Sequence, residues 1–203
     1  ILLKMSRIDL SENSYVIIDK LPDYLIEYAN SVFDEMCKLR PEVSKVLVGI
    51  DKKELISERG HASYLNTPKF NKDVTKSYMF SGYDTSKNND PLPKVFEPFY
   101  DYLKDKYNQV VVNWYTNGDE FIPLHSDCEV GFKPNADIAI VSFGCTRPFV
   151  LKSRSDNRES LKVHLTKGSI LYMCGKTQDE YRHGISKDDT KEKRISITFR
   201  SFI

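Results

Sequence analysis

The run RISITFR, from Arg194 to Arg200, admits only one regular backbone conformation. Ile195, Ile197 and Phe199 alternate without a break with Arg194, Ser196, Thr198 and Arg200. A period of two belongs to an extended strand, whose successive side chains point to opposite faces. One face is built to pack and the other is polar. The ordinary place for such a polar face is outward, in solvent.

The same texture reaches back to residue 110. QVVVNWY, ADIAIVSFG, RPFVLKS, SLKVHLT and SILYMC are short apolar runs, and Gly144, Gly168 and Gly184 punctuate this half of the chain. Strands at such regular spacing, closing on one another, predict a sandwich or barrel. The first half reads differently. Ser14 to Asp19 predicts a strand, and Pro22 then stands where a helix can begin without losing a hydrogen bond. Leu25, Ala29, Val32, Phe33 and Met36 carry that helix to Arg40, where Pro41 ends it. Lys45 to Gly49 and Ser77 to Gly82 are further short strands, and a second helix is expected from Lys94 to about Asn108. Between them, residues 51–75 are polar and aperiodic, which predicts a long functional or mobile loop. His61 lies within it and is expected to be exposed.

A length of 203 residues is enough for one domain with a sizeable core. The formal charge of +1 gives no global basic field to attract a polyanion, so a nucleic-acid role needs a local patch. KSRSDNRESLK, with Lys152, Arg154, Arg158 and Lys162, is one such cluster, although Asp156 and Glu159 dilute it and it reads first as a solvated hairpin tip. His164 falls on the polar face of its strand and is expected to be exposed. Cys37, Cys128, Cys145 and Cys174 are widely spaced with no Cys-x-x-Cys, arguing against a zinc knuckle or redox pair and for free thiols. No run is long and apolar enough for a membrane span or signal peptide. The expectation is a soluble, intracellular monomer.

Chemistry enters through QVVVNWYTNGDEFIPLHSDCE, the stretch ending at Glu129. It holds His125 and Asp127, and residues two apart on an extended strand project to the same side. An imidazole and a carboxylate there can reach one ion. His-x-Asp arises easily by chance, so a polar loop is the plain alternative. His183, far downstream, would complete a two-histidine, one-carboxylate face, the ligand set that suits non-haem Fe(II) oxygen chemistry. Arg194 and Arg200 lie on the order of 20 Å apart along one strand face, and their long side chains can lean together over a small dicarboxylate. Arginine binds carboxylates bidentately and keeps its charge when enclosed.

The ordered set NWY, HSDCE, Gly168-Ser169, YRHGI and RISITFR, from Asn113 to Arg200, resembles the AlkB family of Fe(II) and 2-oxoglutarate-dependent dioxygenases. The resemblance implies an α+β fold, a double-stranded β-helix or jelly roll with supporting N-terminal helices. Residues 110–203 would form the oxygenase core, and residues 1–109 a helical and substrate-lid region packed on it, within one compact domain. Fe(II) would be held by His125, Asp127 and His183. Arg194 would pair with the distal carboxylate of 2-oxoglutarate, and Arg200 would sit near its metal-chelating carboxylate. Asn113, Tyr115, Ser196 and Thr198 would line the co-substrate site. In the family, molecular oxygen oxidises the keto acid to succinate and carbon dioxide while a nearby C–H is hydroxylated. When that carbon is a methyl on a base nitrogen, formaldehyde is lost. Alkylated DNA or RNA would then be the partner. Tyr78 and Phe80 would be lid aromatics and Glu129 would contact the base's exocyclic amine, although plain core packing explains Tyr78 and Phe80 as well. Two other readings remain: a same-fold oxygenase acting on a protein side chain or small metabolite, and a binding module without chemistry.

Overall fold

A computed structural model describes residues 5–48, 53–65, 79–80, 83–84, 91–103, 106–127 and 132–202. Strands β1 (Ser6–Asp9) and β2 (Ser14–Lys20) form an antiparallel hairpin, and helix α1 (Asp23–Lys38) follows directly after Pro22. The first turn of a helix leaves N–H groups without intrahelical partners, so a proline loses nothing there. Leu25, Ala29 and Met36 are buried along one stripe, with Val32 and Phe33 packed beside them. That is the apolar face the spacing predicts.

The segment read as a long loop contains regular structure. Strand β3 (Lys45–Val48) pairs with β4 (Lys53–Ile56), and β5 (Gly60–Leu65) joins a larger sheet as its edge. Ala62 and Tyr64 face the apolar layer while His61 and Ser63 sit opposite Asn113 and Val111. His61 is therefore buried at 8% exposure, not exposed in a loop. Burial, aided by the nearby Arg59 charge, pushes its imidazole down to about 4.

A small hairpin, β6 (Met79–Phe80) with β7 (Tyr83–Asp84), precedes a 3-10 turn at Lys94–Phe96 and helix α2 (Glu97–Leu103). The α-helical part is shorter than the predicted run to residue 108, and Pro98 lies in its first turn, the one place an interior proline is tolerated. The remaining elements are β8 (Gln109–Tyr115), β9 (Ile122–His125), β10 (Ile138–Gly144), β11 (Arg147–Ser153) and β12 (Glu159–Leu165). After them come β13 (Ser169–Gly175), the single-turn helix α3 (Thr177–Glu180), β14 (Tyr181–Ile185) and β15 (Arg194–Arg200).

Among the described residues, seven strands form the larger sheet, in the order β1, β2, β13, β10, β15, β8, β5, and four form the smaller, in the order β12, β11, β14, β9. Both sheets are antiparallel throughout. The two cover each other as a jelly roll, with α1 and α2 on the outer face of the larger sheet. Val110, Val112 and Trp114 of β8 and Ile195, Ile197 and Phe199 of β15 pack against those helices. Ile138, Ile140, Leu171 and Met173 pack inward, against Phe149, Leu151 and Ile185 of the smaller sheet. Trp114 also donates from Nε1 to the Met36 carbonyl at 2.7 Å, tying the end of α1 to β8.

This layering decides the last strand. All seven residues of β15 are buried, because its apolar face meets the helices and its polar face looks into the space between the sheets. The outward placement expected of a polar face is thus replaced by an inward one. Among the described residues, no helix is long and apolar enough to cross a membrane, and Cys37, Cys145 and Cys174 are free thiols.

Candidate metal centre

Strands β9 and β14 are neighbours at one edge of the smaller sheet, and their register sets His125 directly opposite His183. The close approach depends on Gly184. A Cβ there would lie 2.7 Å from the Ile122 carbonyl oxygen, so only a residue without a side chain lets β9 come so near. The two imidazole rings have centroids 4.3 Å apart, and Phe149 stacks on His183 at 5.7 Å.

Asp127 does not share a strand with His125, as simple alternation had suggested. β9 ends at His125; the chain then leaves the sheet, and the Asp127 N–H donates to Gln178 Oε1 of α3 at 2.9 Å. This anchor, together with Ser126 Oγ donating to the Tyr181 carbonyl at 2.8 Å, turns the carboxylate beneath the two rings. Asp127 Oδ1 is 3.5 Å from His125 Nε2, and Oδ2 is 3.9 Å from His183 Nε2.

The donor atoms of His125, Asp127 and His183 all lie within 4.8 Å of one another. Metal–nitrogen bonds of about 2.0–2.1 Å place neighbouring ligands roughly 3 Å apart, so small side-chain shifts suffice to close this trio on one ion. The protonation states also fit. His125 Nδ1 is 2.9 Å from the Pro123 carbonyl; a carbonyl only accepts, so the proton sits on Nδ1 and Nε2 presents its lone pair. Burial, with His125 alongside, pushes the His183 imidazole down to about 3, into the neutral, ligating form. Burial opposes ionisation of Asp127, yet Arg200 Nη2 at 2.7 Å and the two histidines hold its carboxyl well below the usual carboxylate range. Asp127 Oδ2 is buried and has no hydrogen-bond partner among the described residues. A buried anionic oxygen without a hydrogen bond, grouped with two imidazole nitrogens, is the arrangement a cation satisfies.

A cavity of about 350 Å³ opens from this trio between the two sheets. Asn113 and Tyr115 of β8, and Arg194, Ser196, Thr198 and Arg200 of β15, line it. Arg194 is fully buried. Its Nη2 donates to Ser142 Oγ at 2.9 Å and its guanidinium lies 5.1 Å from the Tyr115 ring centroid. Nε and Nη1 make no hydrogen bond among the described residues. Burial pulls its pKa below the ordinary arginine value, so the site holds a desolvated cation with donors to spare. A carboxylate is the natural ligand for them.

All nine residues expected at the metal and co-substrate sites therefore line one cavity. Of the residues expected at the substrate, Phe80 lies on β6 opposite Tyr83, while Tyr78 and Glu129 lie outside the described residues. His164 is exposed, as its place on the strand predicted. Four other residues of the site carry no signal in the sequence pattern. Gln178 positions Asp127, and Ser142 holds Arg194. Arg147, fully buried, donates to the carbonyls of Asn117, Gly118, Glu120 and Ser186 and so ties the loop between β8 and β9 to the residue that follows β14. Arg59 is buried in the cavity wall, with its pKa lowered by burial. Each stands outside any apolar period, or carries a polar side chain where the pattern predicts only strand.

Comparison with known proteins supplies an independent line. Residues 50–200 match the model of the 2OG-Fe(II) oxygenase superfamily. The chain is 33% identical over 150 residues to the DNA oxidative demethylase ALKBH2 of Arabidopsis thaliana, covering 60% of this chain and 48% of that protein. It is 31% identical over 104 residues to the alpha-ketoglutarate-dependent dioxygenase alkB homolog 3 of Homo sapiens, covering 47% of this chain and 36% of that protein. The match thus spans half or less of the length of these relatives. In three dimensions the chain is similar to the solved structure of OsALKBH1, with a TM-score of 0.57 at 16% identity, covering 97% of this chain and 100% of that one. At that identity the likeness speaks to the fold.

Proposed function

Because the chain belongs to the 2OG-Fe(II) oxygenase superfamily, with AlkB homologues among its relatives, we propose that it oxidatively removes alkyl groups from nucleic-acid bases. The observation that carries this reading is a single cavity with two unmet needs. At one end Asp127 Oδ2 is orphaned beside two imidazoles, and along the same β15 face Arg194 keeps two unsatisfied nitrogens. Fe(II) fits the first and the distal carboxylate of 2-oxoglutarate the second.

When bound, Fe(II) and 2-oxoglutarate would let molecular oxygen oxidise the keto acid to succinate and carbon dioxide, with one oxygen atom entering the succinate and the other a nearby C–H; an N-methyl group so hydroxylated would leave as formaldehyde. The protein's work is placement. Asp127 stays ionised through Arg200, and His125 is fixed in one tautomer by the Pro123 carbonyl. Arg194 would clamp the distal carboxylate while Asn113, Tyr115, Ser196 and Thr198, which line the same cavity, would contact the rest of the co-substrate. Ile140, Phe149 and Ile185 give the cavity an apolar wall that keeps water from the reacting centre. Tyr78 and Phe80 would close over a base taken out of its stack, and Glu129 would accept from its exocyclic amine.

The test is formaldehyde and succinate release from methylated oligonucleotides, single- and double-stranded, DNA and RNA, with Fe(II) and 2-oxoglutarate. Turnover is expected on at least one of them, and His125→Ala or Asp127→Ala should abolish it with the fold intact. A net charge of +1 keeps a second reading in view, oxygenation of a protein side chain or small metabolite. Succinate without formaldehyde across the whole panel would select that reading, and unchanged turnover in both variants would remove these residues from the metal.

A further inference from the structure

Arg59 has no role in the scheme above, yet it is buried in the wall of the same cavity, just ahead of β5. Its Nε donates to Asn113 Oδ1 at 2.7 Å, and its Nη1 reaches Ser57 Oγ at 3.3 Å. Asn113 is itself only 6% exposed, and lies between His61 of β5 and Ser196 of β15 in the sheet register.

The chemistry of the pair is one-sided. A guanidinium has donors and no acceptor, whereas a side-chain amide has one accepting end and one donating end. Facing Arg59, Asn113 can present only its carbonyl oxygen. Its NH2 group must then turn away from Arg59, as a donor available to the cavity. 2-Oxoglutarate at neutral pH offers two carboxylates and a keto oxygen, all acceptors. If Asn113 rotated by half a turn it would set a carbonyl against an anion and lose its bond to Arg59 as well.

We propose that Arg59 is a positioning residue for the co-substrate, acting through Asn113 by fixing the polarity of its amide. The inference rests on the reading of this cavity as a 2-oxoglutarate site. It assigns a purpose to a cation whose hydrogen bonds lead to neutral partners, and it explains why the Asn113 side chain presents a donor on a wall built for an acidic ligand.

The experiment is calorimetric titration of 2-oxoglutarate into the protein loaded with Mn(II), which binds such sites without turnover, with thermal melting to check each fold. Arg59→Met and Asn113→Ala should each weaken binding about tenfold, and the double variant should be no weaker than the worse single one. Arg59→Lys, still a donor without an acceptor, should stay within about threefold of the wild type. Asn113→Asp leaves Arg59 paired but turns the cavity-facing group into an acceptor, so it should bind at least tenfold more weakly; this arm stands even if Arg59→Met does not fold. In turnover the KM for 2-oxoglutarate should rise in Arg59→Met, with the KM for the nucleic acid unchanged. Additive losses in the double variant, or wild-type binding by Asn113→Asp, would overturn the inference and leave the function standing. A wild-type protein that binds no 2-oxoglutarate would overturn both.

Discussion

Replacing Arg194 by methionine should move stability and co-substrate binding in opposite directions. The side chain is fully buried, with one hydrogen bond, to Ser142, and two nitrogens unsatisfied among the described residues. A buried donor without a partner costs about 1–3 kcal/mol, and replacing an uncompensated buried charge by an apolar side chain of similar length is often stabilising. In a chain of this size 1 kcal/mol corresponds to about 2–4 °C in Tm. Arg194→Met without ligand should therefore melt about 2–12 °C above the wild type. With 2-oxoglutarate at 100 times its Kd, the wild type should gain about 2.7 kcal/mol. The variant, without a charged hydrogen bond worth roughly 1.5–3 kcal/mol, should bind about 10- to 150-fold more weakly and keep only about 0.3–1.4 kcal/mol of that gain. Differential scanning fluorimetry with Mn(II), with and without 2-oxoglutarate, reads both effects. A variant that melts lower than the wild type without ligand, or one that 2-oxoglutarate stabilises as much, would refute the view of Arg194 as a strained, waiting clamp.

Three further perturbations test the architecture. His61 is buried with its pKa lowered from 6.5 to about 4, so the unfolded chain binds the extra proton between those values; stability complete above about pH 6.5 should fall as the pH drops toward 4, and His61→Gln should flatten that limb of a urea-melt series relative to the wild type. Arg147→Met removes the donor shared by four loop carbonyls and should destabilise by about 3 kcal/mol or more, seen as a lower midpoint in chemical denaturation; a change under about 1 kcal/mol would show that the loops hold themselves. Gly184→Ala puts a methyl within 2.7 Å of the Ile122 carbonyl, so β9 must move off β14 and carry His125 from His183; Mn(II) affinity should fall about tenfold or more by calorimetry, and wild-type affinity would mean the strands adjust without disturbing the trio.

The helical half shows where pattern reading works and where it stops. α1 was legible because an apolar stripe against a sheet repeats at the helical period, and Pro22 and Pro41 mark its limits. β5 was not legible as a strand because only Ala62 and Tyr64 carry its apolar face, too short a run to show a period, and its burial was missed because His61 and Ser63 face a polar interior. Arg59 and Gln178 escaped for the same kind of reason. Each acts through one hydrogen bond to a residue 54 or 51 positions away, and no local pattern encodes a partner at that distance.

Residue types alone establish that residues 110–200 are rich in β-strands, that Arg194, Ser196, Thr198 and Arg200 share one face, and which two histidines and one aspartate could bind an ion, because period and ligand chemistry are local properties. That this polar face points inward follows from the packing, since it depends on helices covering the other face. The packing also decided how the ligands meet. His125 faces His183 through a strand pairing that Gly184 permits, and Asp127 is turned toward them by Gln178 after the strand has ended. Those arrangements are fixed by contacts between distant segments, which exist only once the two sheets have closed on each other.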